Sequence, residues 1–207
     1  MSTHESLVAD PEDPAVVGRN LAVGARLIAS AVVFFFMAFV FAFFYLRALN
    51  TSHDFHPAHT NPPTGWGVAI LLCVLGSVGA FELARRALDD GKESPWRIGS
   101  LLALVLGLAA IVVQFIEYYN LKFGATSGGL ASVFLGFTVV FVMFWFGAVY
   151  WIETLWAQSL RQPAAAHADG VAEPSSQLRP CADACAVFLY VMVLVELFAF
   201  VLLYLVK

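Results

Sequence analysis

The chain has 207 residues, of which 60% are hydrophobic and only 13% are charged, and its mean hydropathy is +0.80. A soluble domain carries about 25% charged residues, so this composition excludes water as the main solvent. Since one membrane-spanning helix takes about 20 apolar residues, the length leaves no room for a soluble catalytic domain, and the net charge of -4 argues against nucleic-acid binding.

Hydropathy predicts an all-α integral membrane protein with five transmembrane helices. A polar, acidic tail, residues 1–22, precedes them and lacks the basic start and apolar core of a cleaved signal peptide, so we expect the first helix itself to be the insertion signal. The single membrane domain covers residues 23–207, with a flexible cytoplasmic loop rich in Ala, Pro and Ser at 160–180. The predicted helices cover residues 23–47, 65–88, 96–121, 130–159 and 181–206.

The distribution of Lys and Arg predicts the topology, because short cytoplasmic loops are enriched in both. Three basic residues fall on one side of the predicted helices, namely Arg47, Lys122 and Lys207. The other side has eight: Arg19, Arg26, Arg85, Arg86, Lys92, Arg97, Arg161 and Arg179. We therefore expect a cytoplasmic N-terminus and a C-terminus outside.

Glu196 is the most informative ionisable residue, because it lies midway along the last apolar helix with no basic residue nearby on that helix. A charge at this depth costs several kcal/mol unless it is paired, neutralised or hydrated. Two interpretations follow: a proton-relay or ligand-sensing carboxyl group, or a protonated side chain that hydrogen-bonds across a helix or subunit interface.

A second polar group lies on the third helix, where Gln114 and Glu117 share one face and Asn120 follows one turn later. Such a stripe either joins helices by hydrogen bonds or contributes to a proton or substrate path. Glu82 and Glu153 lie near helix ends instead, where water or neighbouring arginines can compensate their charge.

The loop before the second helix contains His53, His56 and His59, and this spacing makes them weak candidates for a metal site. Pro57 interrupts the run, so a single helix presenting all three imidazoles is not expected. A solvated polar loop is the alternative.

The remaining candidate residues do not predict a metal or cofactor site. Cys181 and Cys185 have helical spacing but no neighbouring His or third Cys, so we expect free thiols in helix packing. Because no histidine falls within a predicted span, an axial haem ligand of the commonest kind is missing. We therefore expect no catalytic, cofactor-binding or redox centre in this chain.

Three stretches resemble the subunit III family of haem-copper oxidases in its short, five-helix form. The clearest is Gln-x-x-Glu followed by aromatic residues at 114–120, a Gly/Ser/Thr turn at 126–129 and a small residue opening the next helix at 132–134. The first helix, residues 26–47, and the prolines at 62–63 are also similar to the family.

The chain also departs from the family. The first retained helix lacks the family's membrane-embedded Glu near residues 30–32, and Phe141 and Phe144 occupy the positions of two histidines. In the last helix, the family's Trp-His-x-x-Asp pattern is replaced by Leu189, Tyr190 and Val193. Glu196 corresponds to no family position that we can place.

The resemblance implies an accessory subunit that packs against catalytic oxidase subunit I and probably subunit II, in a bacterial plasma membrane. Haem and copper would lie in those partners, and this chain would bind phospholipid and support proton uptake and complex stability during reduction of oxygen to water. The sequence leaves open whether the electron donor is cytochrome c or quinol. Three alternatives stay open: an accessory subunit of a nitric oxide reductase, a small transporter using Glu196 and Glu117, and a copper-handling assembly factor using the outer histidines.

Overall fold

A computed structural model describes residues 14–50, 55–57, 60–161 and 178–206. Five helices make up nearly all of this part of the chain, which contains no strand, and each is long and apolar enough to span a membrane. The predicted all-α, five-helix membrane fold is therefore confirmed. The helices are α1 Pro14–Ala48, α2 Thr64–Asp89, α3 Glu93–Asn120, α4 Gly129–Arg161 and α5 Leu178–Phe200, which continues as a π-helical turn, Val201–Leu205.

The main difference from the predicted boundaries is the start of α1, which begins at Pro14 rather than near Val23. Proline is well suited to the first turn of a helix, where its missing N–H has no intrahelical partner. Part of the predicted polar tail is therefore helical, and residues 1–13 lie outside the described part. The predicted loop at 160–180 is shorter, because its first two residues belong to α4 and its last three to α5; residues 162–177 are not described.

Small residues let α2 and α3 pack as a close antiparallel hairpin. A Cβ atom on Gly99 would lie 2.8 Å from the Cβ of Ala84 and 3.2 Å from its Cα, so the two backbones meet with no room for a side chain. Ser77 adds a hydrogen bond between the helices, from its Oγ to the carbonyl oxygen of Ala103 at 2.7 Å. Close backbone approach of this kind is typical of helices that associate in lipid.

Helix α5 lies at the centre of the bundle, in contact with α1, α2 and α4. Helix α4 is fixed to α3 by Trp145, whose ring is buried and donates from Nε1 to the carbonyl oxygen of Gly107 at 3.0 Å. Helix α1 is the most peripheral, and its outer face is aromatic: Phe34 is 79% exposed and Phe41 69%. This face is suited to lipid or to a partner helix, because it offers no polar group to water.

One end of the bundle is held by arginines, and we call it the arginine end. Arg97 at the start of α3 donates to the carbonyl oxygen of Ser159 near the end of α4, at 3.0 Å. Arg179 at the start of α5 donates to the carbonyl oxygen of Leu88 near the end of α2, at 3.2 Å. Helices α3 and α5 therefore both start at this end and run in the same direction.

The opposite end, which we call the loop end, contains the connection between α1 and α2. The backbone N–H of Leu130 at the start of α4 donates to the carbonyl oxygen of Phe55 at 2.8 Å. Arg47 near the end of α1 donates to the carbonyl oxygen of Val206 at 3.3 Å. The ends of α1 and α5 therefore meet here, beside the start of α4. That the arginine end faces the cytoplasm stays a prediction.

The packing of α2 on α3 predicts that Gly99→Ala lowers the stability of the protein. The new methyl group would overlap Ala84, and overpacking of this kind costs about 1–3 kcal/mol. Gly79→Ala is the matched control, because a Cβ on Gly79 in the same hairpin meets nothing within 4 Å. Thermal unfolding in detergent, followed by circular dichroism, should show a lower melting temperature for Gly99→Ala alone. Equal melting temperatures would contradict the close packing.

Candidate functional site

Two of the polar residues singled out in the sequence meet inside the bundle near the loop end. Glu117 is completely buried and Gln114 nearly so, one turn earlier on the same face of α3. The amide Nε2 of Gln114 donates to Oε2 of Glu117 at 2.7 Å. The carboxyl group of Glu117 is therefore held in place within its own helix.

A second hydrogen-bond donor reaches Glu117 from the end of α5. The hydroxyl group of Tyr204 lies 2.9 Å from both Oε1 and Oε2 of Glu117. Side chains from two helices thus donate to one buried carboxyl group. In an apolar interior such donors are what make a buried carboxyl group tolerable, because no water replaces them.

Three local features position Tyr204. Tyr204 lies in the π-helical turn. On a regular α-helix, a residue eight positions after Glu196 would be rotated from it by about 80° around the helix axis. The wider π-helical turn reduces the rotation per residue, and both side chains face the interior. The ring packs edge-on against Phe134 of α4, with 5.6 Å between ring centres. Gly67 of α2 leaves space for it, since a Cβ there would lie 2.7 Å from the ring.

Glu196 is also buried, with 5% of its surface exposed, but its environment is different. Among the described residues no donor forms a hydrogen bond with its carboxyl group. It lies on α5 eight residues before Tyr204, whose hydroxyl group contacts Glu117. Glu117 and Glu196, which we call the carboxyl pair, therefore consist of one group with donors and one without.

A tyrosine hydroxyl accompanies the carboxyl pair. Tyr118 follows Glu117 directly on α3, and its hydroxyl oxygen is sealed from solvent. Thr138 lies beside it, yet the Tyr118 hydroxyl forms no hydrogen bond of ordinary geometry within the part of the chain that is described. A buried polar atom without a partner is rare and often marks a functional role.

The structure places the other candidates outside this site. Asn120 is exposed and donates to the carbonyl oxygen of Ile116 in its own helix, at 2.7 Å, so it does not extend the stripe into the interior. His56 lies 2.8 Å from Oδ1 of Asn61, whereas His53 and His59 are outside the described residues. Within the described ranges, no three potential metal ligands come together.

The carboxyl group of Glu82 forms ion pairs with Arg85 and Arg86, as expected, with N–O distances of 2.9 Å in both. A contact that the sequence did not predict joins it to α5, where the Tyr190 hydroxyl donates to Glu82 at 2.6 Å. Glu153 is exposed. The three thiols are free, at Cys73, Cys181 and Cys185.

Sequence reasoning missed Tyr204, Tyr118 and Gly67. Tyr204 carries a weak signal, since it is a polar-tipped residue near the end of an otherwise apolar helix, but its rotation toward Glu196 depends on a π-helical turn that the sequence does not reveal. As for chemistry, buried carboxyl and hydroxyl groups can bind and pass protons.

The geometry predicts that Tyr204→Phe destabilises the protein, because Glu117 loses its only donor from another helix among the described residues. Hydrogen bonds between membrane helices contribute about 0.6–1.7 kcal/mol, and we expect a loss of this order. Tyr119→Phe removes the same hydroxyl from a neighbouring residue that is 90% exposed, and should have no effect. Thermal unfolding in detergent measures both. A Tyr204→Phe variant as stable as Tyr119→Phe would contradict the assigned bond.

No protein-family model matches the chain. Over 125 residues it is 28% identical to cytochrome c oxidase subunit 3 of Mus musculus, and the match covers 58% of this chain and 48% of the relative. The chain thus spans about half the length of this relative. It is similar in sequence to an oxidase subunit over more than half of its own length.

Proposed function

We propose that this chain is a non-catalytic accessory subunit, similar to subunit III, of an aerobic haem-copper terminal oxidase. The observation that carries the proposal is its similarity to the mouse oxidase subunit. The five-helix fold and the buried Gln114–Glu117 pair on α3 agree with the stretches that resemble the family. The subunit would support the reduction of oxygen to water without carrying the reaction.

Packing against catalytic subunit I, and probably subunit II, is the role that the surface of the bundle supports. The outer face of α1 is exposed and apolar, with Leu27, Phe34 and Phe41 among its most accessible side chains. No histidine lies within helices α1 to α5, so haem and copper are expected in the partner subunits. This chain would then contribute stability to the complex rather than electron transfer.

Phospholipid binding is supported by a groove between α1, α4 and α5. Its walls are entirely apolar, formed by Val33 and Phe36 of α1, Phe137 of α4, and Leu194 and Phe198 of α5. A groove of this kind suits a lipid acyl chain, which needs apolar contact and no hydrogen bond. Proton uptake and turnover stability are the further roles that the resemblance implies for the assembled complex.

Purification with the partners attached tests the proposal. The protein, tagged at its N-terminus, is extracted from its native membrane in mild detergent, and the visible spectrum and the proteins that accompany it are recorded. We expect haem absorbance together with a large multi-helix oxidase subunit in stoichiometric amount. If a nitric oxide reductase subunit co-purifies instead, the chain is an accessory subunit of that reductase.

A colourless protein that purifies alone would overturn the accessory role and favour the transporter. The transporter has a direct test of its own, in which proton flux is measured in liposomes containing this chain alone. A flux that Glu196→Gln abolishes and Glu153→Gln leaves intact would establish the transporter, since Glu153 is exposed at a helix end.

A further inference from the structure

We propose that Glu117 and Glu196, together with the hydroxyl groups of Tyr118 and Tyr204, form a proton-binding site that exchanges its proton through the loop end of the bundle. The ligand is a proton, and the site is built entirely from side chains of this chain. The inference therefore goes beyond the accessory role and does not depend on the identity of a partner.

The first step concerns the charged form of the site. Glu117 receives donors from Gln114 at 2.7 Å and from Tyr204 at 2.9 Å, and together they stabilise a carboxylate in an environment without water. Glu196 receives none among the described residues, so its apolar surroundings accommodate the neutral acid and not the anion. The proton therefore resides on Glu196 while the negative charge resides on Glu117.

The second step is the coupling between the two groups. No lysine, arginine or histidine in the described part of the chain forms an ion pair or hydrogen bond with either carboxyl group. The residues of α2 and α4 that lie against the two tyrosines are uncharged, namely Gly67 and Phe134 against Tyr204, and Thr138 beside Tyr118. Arg47 of α1 binds the carbonyl oxygen of Val206 instead. Two neighbouring carboxylates without a cation repel each other, so the pair retains at least one proton.

The third step is the route to water. Glu117 lies three residues before the end of α3, close to the exposed Tyr119 and Asn120. Glu196 lies deeper, since eight residues separate it from Tyr204 and correspond to about 12 Å of helix. The Tyr204 hydroxyl lies 2.9 Å from both oxygens of Glu117, Tyr118 follows Glu117 on α3, and a hydroxyl group can donate and accept a proton in turn. A proton on Glu196 therefore has polar groups along its way to the loop end.

Infrared difference spectroscopy tests the site on the full chain in lipid vesicles, or on the complex if one co-purifies. The measured signal is the carbonyl stretching band of a protonated carboxylic acid, recorded against pH in H₂O and in D₂O. We expect the band to be lost in Glu196→Gln and retained in the control Glu153→Gln. Glu117→Gln should change its frequency, and transfer to D₂O should shift the band of the native protein.

A band that persists unchanged in Glu196→Gln would overturn the proposal, as would a frequency that Glu117→Gln leaves unaltered. If Glu196→Gln does not accumulate as folded protein, Glu196→Asp takes its place, and a displaced band supports the site while an unchanged one refutes it. Haem and partner subunits are measured in the same variants. If they are retained, a change in the infrared band reports on the proton site and not on the accessory role.

Discussion

Lipid offers no hydrogen bonds, so each polar group inside this bundle must find its partner within the protein. The chain meets this requirement mostly with its own helix backbones: the buried Ser77, Ser100, Thr138 and Ser159 each donate to a backbone carbonyl oxygen. Glu117 is satisfied differently, by two side chains from two helices. Three buried atoms have no partner among the described residues: the Tyr118 hydroxyl, and Nε1 of Trp96 and Nε of Arg97 at the arginine end. Of these, only Tyr118 follows a buried carboxyl residue, Glu117, directly in the chain.

The apolar packing of the bundle depends on the absence of side chains as much as on their presence. Gly99 lets α2 approach α3 at the arginine end, whereas Gly67, near the loop end, leaves room for the ring of Tyr204. Because interiors are close-packed, a methyl group at Gly67 would push that ring and thereby disturb its hydrogen bonds to Glu117. The position of the Glu117 carboxyl group thus depends on an uncharged contact, between Gly67 of α2 and the Tyr204 ring.

The sequence predicted the features that depend on composition and regular periodicity. Five apolar runs give five helices, and the spacing of Gln114 and Glu117 places both on one face of α3 because the helix there is regular. The pairing of Glu82 with Arg85 and Arg86 follows from the same regularity. Three things escaped prediction because they depend on tertiary contacts or on irregular turns. The first turns of α1 are too polar for a hydropathy window, Asn120 turns to its own backbone, and a π-helical turn rotates Tyr204 toward Glu117.

The two ends of the bundle treat carboxyl groups in opposite ways. At the arginine end, Glu82 pairs with Arg85 and Arg86, and Arg85 extends the network to Asp183 of α5 at 2.7 Å, so arginines compensate both of these negative charges. Neither Glu117 nor Glu196 has such a cation among the described residues: Glu117 accepts hydrogen bonds from one amide and one hydroxyl group, and Glu196 from neither. Gain or loss of a proton at this pair therefore changes the net charge within the membrane interior, where the low dielectric makes that change felt at longer range than in water. A partner helix packed against α5 near the loop end would be placed to sense it.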